Sequence, residues 1–310
     1  MFDVSQITNL DSGFCYTKLN TVFEEHELKK TAESLRKRFA IQTKAWNADL
    51  HTQWAIRHYL SIKMILSASV MLTSLDYSYN NNIRIVEPYL TYYSLLNTAR
   101  ALIFTLPDVE WNDGTIISLS HETIINLTFD AINKINNNKA KQVKEELRKA
   151  KIFRELFSYR FPSEGLKQFD EEMSNFQEVV SLCTIFCEIA QFNSEILQKS
   201  YKKNVRYEFE FNEQILSTGF VFESKDFSII DFADYHRIGY IDRKMKKPFN
   251  LLWMMTEGMV EDFFGAWCVL VKNQIKICII QMKTGELFIL FHRVSFEPYT
   301  VSQIDDSKMR

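Results

Sequence analysis

Glycine and proline are scarce in this chain, 8 and 5 among 310 residues. That is about a third of ordinary usage, so a turn-dense fold is disfavoured and long uninterrupted helices are expected. Cysteine is equally thin: Cys15, Cys183, Cys187, Cys268 and Cys278 are odd in number and scattered, unlike the framework of a small secreted domain. Neither sign of charge dominates, since 37 basic side chains face 39 acidic ones for a net of −2. No global field draws the chain to nucleic acid or to an anionic membrane, and any such contact must come from a local patch. Long apolar runs are missing too: Leu60–Leu75, interrupted by Lys63 and several serines, falls short of the roughly 18 residues a span needs. The opening MFDVSQITNLDSG lacks the basic and apolar regions of a signal peptide. Walker A, GxGxxG and GxSxG patterns are absent, which argues against nucleotide-driven motors, dinucleotide oxidoreductases and α/β-hydrolases. The expectation is a cytoplasmic globular protein with no membrane span and no small-molecule cofactor.

Apolar residues recur at helical spacing over Glu24–Leu60, Leu60–Leu75, Pro88–Leu106, His121–Ile135, Lys139–Tyr159 and Phe176–Leu197. Polar breaks fall at Asn80-Asn81-Asn82, Pro107 to Gly114, Asn136-Asn137-Asn138 and Pro162 to Gly165. After Tyr201 the period changes to two: Val205, Tyr207, Phe209 and Phe211 alternate with polar residues as in a half-buried strand. Phe220–Phe222 and Phe227–Phe232 read as further strands, and Asn250–Phe264 as a helix. Ala266–Val271, Ile275–Gln281 and Leu287–Phe291 read as a meander. The fold class expected is therefore α+β. A helical bundle over residues 1–200 would be followed by a smaller domain over 201–310 with a mainly antiparallel sheet.

Most of the chemistry sits in Pro88–Phe129, PYLTYYSLLNTARALIFTLPDVEWNDGTIISLSHETIINLTF. Pro88 suits the first turn of a helix, where its missing N–H has no partner to lose. At about 100° per residue, Tyr93, Asn97, Arg100 and Phe104 share one stripe. Arg100 thus lies in the middle of an otherwise apolar helix, and a buried arginine needs an acceptor. The plain reading is a strut paired with His121, Glu122 or a loop carbonyl; the sharper one is a functional cation. Ser120 offers an N-cap for a helix starting at His121 and Glu122.

The pair Tyr92-Tyr93, the run Leu95-Leu96-Asn97-x-Ala99-Arg100-Ala101-Leu102 and the Ser120-His121-Glu122 helix start resemble the HEPN superfamily, and within it the YaaC-like proteins. The resemblance covers roughly residues 88–129. It implies a bundle of antiparallel helices, frequent dimerisation, and work on RNA or in toxin–antitoxin and antiviral defence modules. Catalytic members are metal-independent ribonucleases with an Arg-x4–6-His motif, in which the arginine stabilises phosphate charge and the histidine moves protons. This chain departs from that pattern, because no arginine is followed by histidine at that gap. Arg100 and His121 are the candidate catalytic pair, but 20 residues separate them.

On Lys139–Arg160, the side chains of Lys141, Lys144, Arg148 and Lys151 fall on one side, opposite an apolar face of Val143, Leu147, Ala150 and Phe157. Such a stripe fits phosphate binding or an ordinary solvated surface. Together with Tyr93, Asn97 and Arg100, it makes up the candidate surface for RNA or a partner. Cys183 and Cys187 lie one turn apart, but no Cys/His pair elsewhere supplies the further ligands zinc requires, so no metal is expected. The leading expectation is a non-catalytic HEPN-like component, RNA-associated or partner-binding, of a bacterial defence or stress module, acting as a homodimer or with another protein. A ribonuclease using Arg100 and His121 and a structural scaffold subunit are the alternatives.

Overall fold

A computed structural model of the chain describes residues 2–10, 12–166, 174–223, 228–245, 247 and 250–267. Two short helices, α1 (Val4–Thr8) and α2 (Leu19–Val22), lead into six long ones. These are α3 (Glu25–Lys44), α4 (Ala48–Asn80), α5 (Glu87–Phe104), α6 (His121–Asn133), α7 (Asn137–Tyr159) and α8 (Phe176–Asn204). The stretch expected as one helix from Glu24 to Leu60 is two. Asn47 adopts an extended backbone and its side chain accepts from the Leu50 N–H at 2.9 Å, which caps α4 just after α3 stops. No cap interrupts the chain at Leu60, so α4 continues for 33 residues, about 50 Å at 1.5 Å per residue.

The long helices form a bundle with α5 at its centre, packed against α4, α6, α7 and α8. A helix with neighbours on several sides must be apolar nearly all round. Tyr92, Leu95, Leu96, Ala99, Ala101 and Leu102 are accordingly fully buried. Helices α4 and α8 are long and apolar enough to cross a membrane by length and composition, yet their most apolar windows are 61% and 83% buried inside the structure. Their hydropathy is that of bundle core. Cys183 and Cys187 belong to this interior, and burial pushes the Cys183 thiol up to about 12.

The C-terminal sheet expected for residues 201–310 is not found among the described residues. Val205–Phe211 is irregular rather than a strand. The expected buried side is only partly buried: Phe209 and Phe211 pack toward His51, with ring centroids 6.1 and 5.5 Å away, whereas Tyr207 of the same alternating set is exposed. Then follow α9 (Glu213–Phe220), β1 (Val221–Glu223), β2 (Ser228–Ile230), α10 (Phe232–Met245), α11 (Leu251–Met254) and α12 (Glu257–Trp267). The two strands pair antiparallel, Val221 opposite Ile230 and Glu223 opposite Ser228, as a ribbon three residues long. The helix expected over Asn250–Phe264 is broken at Met255-Thr256. Of the expected meander, Ala266 and Trp267 close α12, and the rest lies outside the described residues.

These later elements pack on the bundle. Gly219 of α9 comes so near α4 that a Cβ there would sit 2.7 Å from Ile56 Cγ2. Tyr59 of α4 donates to Asp234 Oδ1 of α10 at 2.6 Å, and Lys63 pairs with the same carboxylate and with Asp231. Helix α11 rests on a polar strip of α8. Gln191 and Ser194 accept its Leu252 and Leu251 N–H groups, and Asn250 donates to Gln198 at 2.8 Å.

His51, buried on α4 against Phe209 and Phe211, has no hydrogen-bond partner on either ring nitrogen. Desolvation pulls its pKa from 6.5 down to about 4. The unfolded chain therefore binds a proton between those values and the folded chain does not. This contribution to stability is complete above pH 6.5 and is lost as pH falls toward 4, by roughly 3 kcal/mol in all. A His51→Leu chain should show a flatter stability profile between pH 6.5 and 4 in denaturant titrations. Parallel profiles for the two chains would contradict this account.

Candidate functional site

Ser120 caps α6 as its position suggests, accepting from the Thr123 N–H at 3.2 Å. This cap sets His121 at the first position of α6, above the Tyr92-Tyr93 pair on α5. The His121 ring lies 5.6 Å from Tyr92 and 6.3 Å from Tyr93, centroid to centroid, and the Tyr92 hydroxyl is 2.9 Å from His121 Nδ1. Arg154 of α7 completes the group. Its guanidinium lies over both tyrosines, 5.2 and 5.8 Å from the ring centroids, with Nη2 3.4 Å from the same Nδ1.

A guanidinium can only donate, so His121 Nδ1 is an acceptor here and the proton of the neutral ring sits on Nε2. Burial lowers the His121 pKa, and the nearby cations Arg100, Arg154 and Lys151 lower it further, so the ring is neutral at pH 7. Arg100 thus reaches the group from α5. Desolvation lowers its own pKa, partly offset by Tyr92 and Tyr93. Burial also raises the Tyr92 hydroxyl to about 12, so it stays protonated.

The strut reading of Arg100 does not hold. Its Nε is buried without a partner, and no hydrogen bond or ion pair engages it among the described residues. Glu122, the carboxylate expected as its partner, is taken by Arg148 at 2.9 Å and Lys151 at 3.4 Å. Arg154 likewise has a buried, unpartnered Nε and no carboxylate partner among the described residues. Two arginines therefore converge on one tyrosine pair, beside the positive end of α6. Glu155 is near enough to act on Tyr92 and His121, but it forms no ion pair with either arginine among the described residues.

The other expected residues divide. Tyr93 belongs to the cluster through His121 and Arg154. Asn97 does not: it points at α4, donating to Ser67 Oγ at 3.0 Å and lying 3.7 Å from Met71 Sδ. Lys151 flanks His121, whereas Lys141, Lys144 and Arg148 line a groove on the outer side of α7. Arg154 was not among the residues the sequence singled out, although it continues the basic side of α7 three residues past Lys151.

A buried arginine strut does exist, on α4. Arg57 is 3% exposed and donates through Nε to the Phe104 carbonyl at 2.7 Å, through Nη1 to Val109 at 2.9 Å and through Nη2 to Leu106. It also lies 4.1 Å over the Trp54 ring. Desolvation pulls it down to about 9, still cationic at neutral pH. Arg57 ties down the end of α5 and the start of the loop that delivers His121.

Fold and site together define a mainly helical bundle carrying a cationic, tyrosine-backed cluster at the junction of three helices. The chain matches no family model, no curated protein and no solved structure.

Proposed function

We propose that this chain is a non-catalytic, RNA-associated HEPN-like component of a bacterial defence or stress module. In this reading it holds an RNA backbone phosphate between Arg100, Arg154 and the Nε2–H of His121. The observation that carries the reading is the pair of arginines with buried, unpartnered Nε atoms, neither of which forms an ion pair with a carboxylate among the described residues. Cations left unpaired in a partly desolvated place are the complement of an anion, and guanidinium groups suit phosphate. Tyr93, half-buried beneath them, adds a ring of the kind that single-stranded nucleic acid stacks on, while the fully buried Tyr92 does not. Binding is favoured over cleavage by the state of His121. Its Nδ1 already accepts from Arg154 and its Nε2 carries the proton, so no free nitrogen lone pair is left to act as a general base. The ribonuclease and the scaffold subunit remain the competing readings.

The test is anisotropy of a labelled single-stranded RNA of about 20 nucleotides, with gel analysis of its integrity. Arg100→Ala and Arg154→Ala should each weaken binding about tenfold to a hundredfold, as loss of a charge-assisted contact does, and lessen the salt dependence. The Arg100→Ala melt should stay within about 1 kcal/mol of the parent, because no protein acceptor loses its donor. RNA bound fully by both variants sinks the proposal. Cleavage that disappears with Arg100 promotes the ribonuclease.

A further inference from the structure

The outer side of α7 and the neighbouring face of α6 enclose a groove of about 560 Å³ that the phosphate cluster does not use. Its apolar lining comes from Phe129, Ile152, Phe153 and Leu156. Along α7, Ile152, Leu156 and Tyr159 follow one another at i, i+4 and i+7, which places them on one stripe. Ile152 is 62% exposed and Tyr159 78%, so water covers large apolar side chains where a core helix would bury them. Toward the N-terminal half of α7 the same groove becomes basic. Lys141 and Lys144 line it with no carboxylate partner among the described residues, joined by Arg148 and Lys149, which pair with Glu122 and Glu146. One acid, Glu145, lies among them, so the basic side chains outnumber the acidic one in the lining.

We infer that the α6–α7 groove docks an acidic amphipathic helix of a partner protein. The partner's apolar face would lie on Ile152–Leu156–Tyr159 and its carboxylates toward Lys141 and Lys144. Two observations select this occupant. An apolar stripe at helical spacing is matched by side chains one turn apart on another helix. The basic flank then fixes the sign of the partner's polar face and its direction along α7. RNA fits the groove less well. The ring of Phe129 is covered by Lys144, 4.7 Å from its centroid, and Phe153 is buried, so the floor offers no open series of ring faces for bases.

The probe is a labelled peptide of about 18 residues, roughly five turns, with Leu at i, i+4, i+7 and i+11 and mostly Glu elsewhere. Two control peptides replace every Glu by Lys, or every Leu by Ser. Anisotropy with the full chain should show the acidic peptide binding at about 10 μM or tighter, with both controls at least about tenfold weaker. Ile152→Glu and Lys141→Glu change exposed side chains and should each weaken the acidic peptide about tenfold, with unchanged melting curves. Both variants should keep the RNA affinity that depends on Arg100 and Arg154. Failure of the acidic peptide to bind, equal binding of a control, or indifference to Ile152→Glu overturns the inference. So does displacement of the peptide by RNA, with RNA affinity falling in both groove variants; that result assigns the groove to nucleic acid.

Discussion

An Arg57→Ala chain is expected to unfold about 3–5 kcal/mol more easily than the parent, the cost of breaking a buried charge-assisted network. The three carbonyls of Phe104, Leu106 and Val109 would lose their donors inside the protein, where water cannot readily replace them. The Trp54 ring would lose the cation above it, and the space vacated by the side chain would add a cavity penalty. Arg57→Lys separates these contributions. An ammonium keeps the charge but lacks the planar fork that meets several carbonyls at once, so it should recover only part of the loss. Urea titrations of the three chains give the comparison. An Arg57→Ala midpoint equal to that of the parent would show that the end of α5 holds without its arginine.

Glu188→Ala should cost about 3 kcal/mol, by a different route. Glu188 sits on α8 and is 1% exposed, yet its carboxylate serves the start of α2. It accepts from the Thr17 N–H at 2.7 Å, the Thr17 hydroxyl at 2.9 Å, the Lys18 N–H at 3.0 Å and the Leu19 N–H at 2.8 Å. Burial raises the Glu188 pKa, and these N–H donors pull it back. The first N–H groups of α2 are thus capped by a residue about 170 positions away rather than by a local Ser or Asp. Without the carboxylate, the segment before α3 should open first. Hydrogen exchange at Thr17, Lys18 and Leu19 should speed up well before α4 or α5 responds. Uniform acceleration across the bundle would contradict the local account.

These two residues show where reading from sequence stops. Helix positions are written in periodicity and punctuation, so Pro88, Ser120 and the polar triplets mark starts and ends that the structure reproduces. The buried place of Cys183 and Cys187 follows from the same period. Arg57 was invisible because its partners are main-chain carbonyls at a helix end, which no side-chain pattern encodes. Arg100 drew attention as the arginine in the apolar helix, but its surroundings proved to lack the acceptor that role required. The meeting of His121 with Arg154 depends on how α6 and α7 fold back together, and no single-helix wheel contains that. At Val205–Phe211 the alternation was wrong as a strand and only partly right about burial, because Phe209 and Phe211 pack inward while Tyr207 of the same set faces water. A strand also needs a neighbour for its main-chain hydrogen bonds.

The length of α4 has a consequence for how the chain can be divided. Along much of its length this helix packs on α5, from Arg57 and Ser61 to Ser67 and Met71, and it also meets α8, while Ile56, Tyr59 and Lys63 meet α9 and α10. It works as a party wall, with rooms on both sides and no second wall behind it. A chain ended after Asn204 would leave Ile56 and Tyr59 facing water, and a piece begun there would leave Asp234 without its tyrosine and lysine. The two stretches therefore inherit stability from the same row of side chains, and a change on α4 facing one of them is felt by the other.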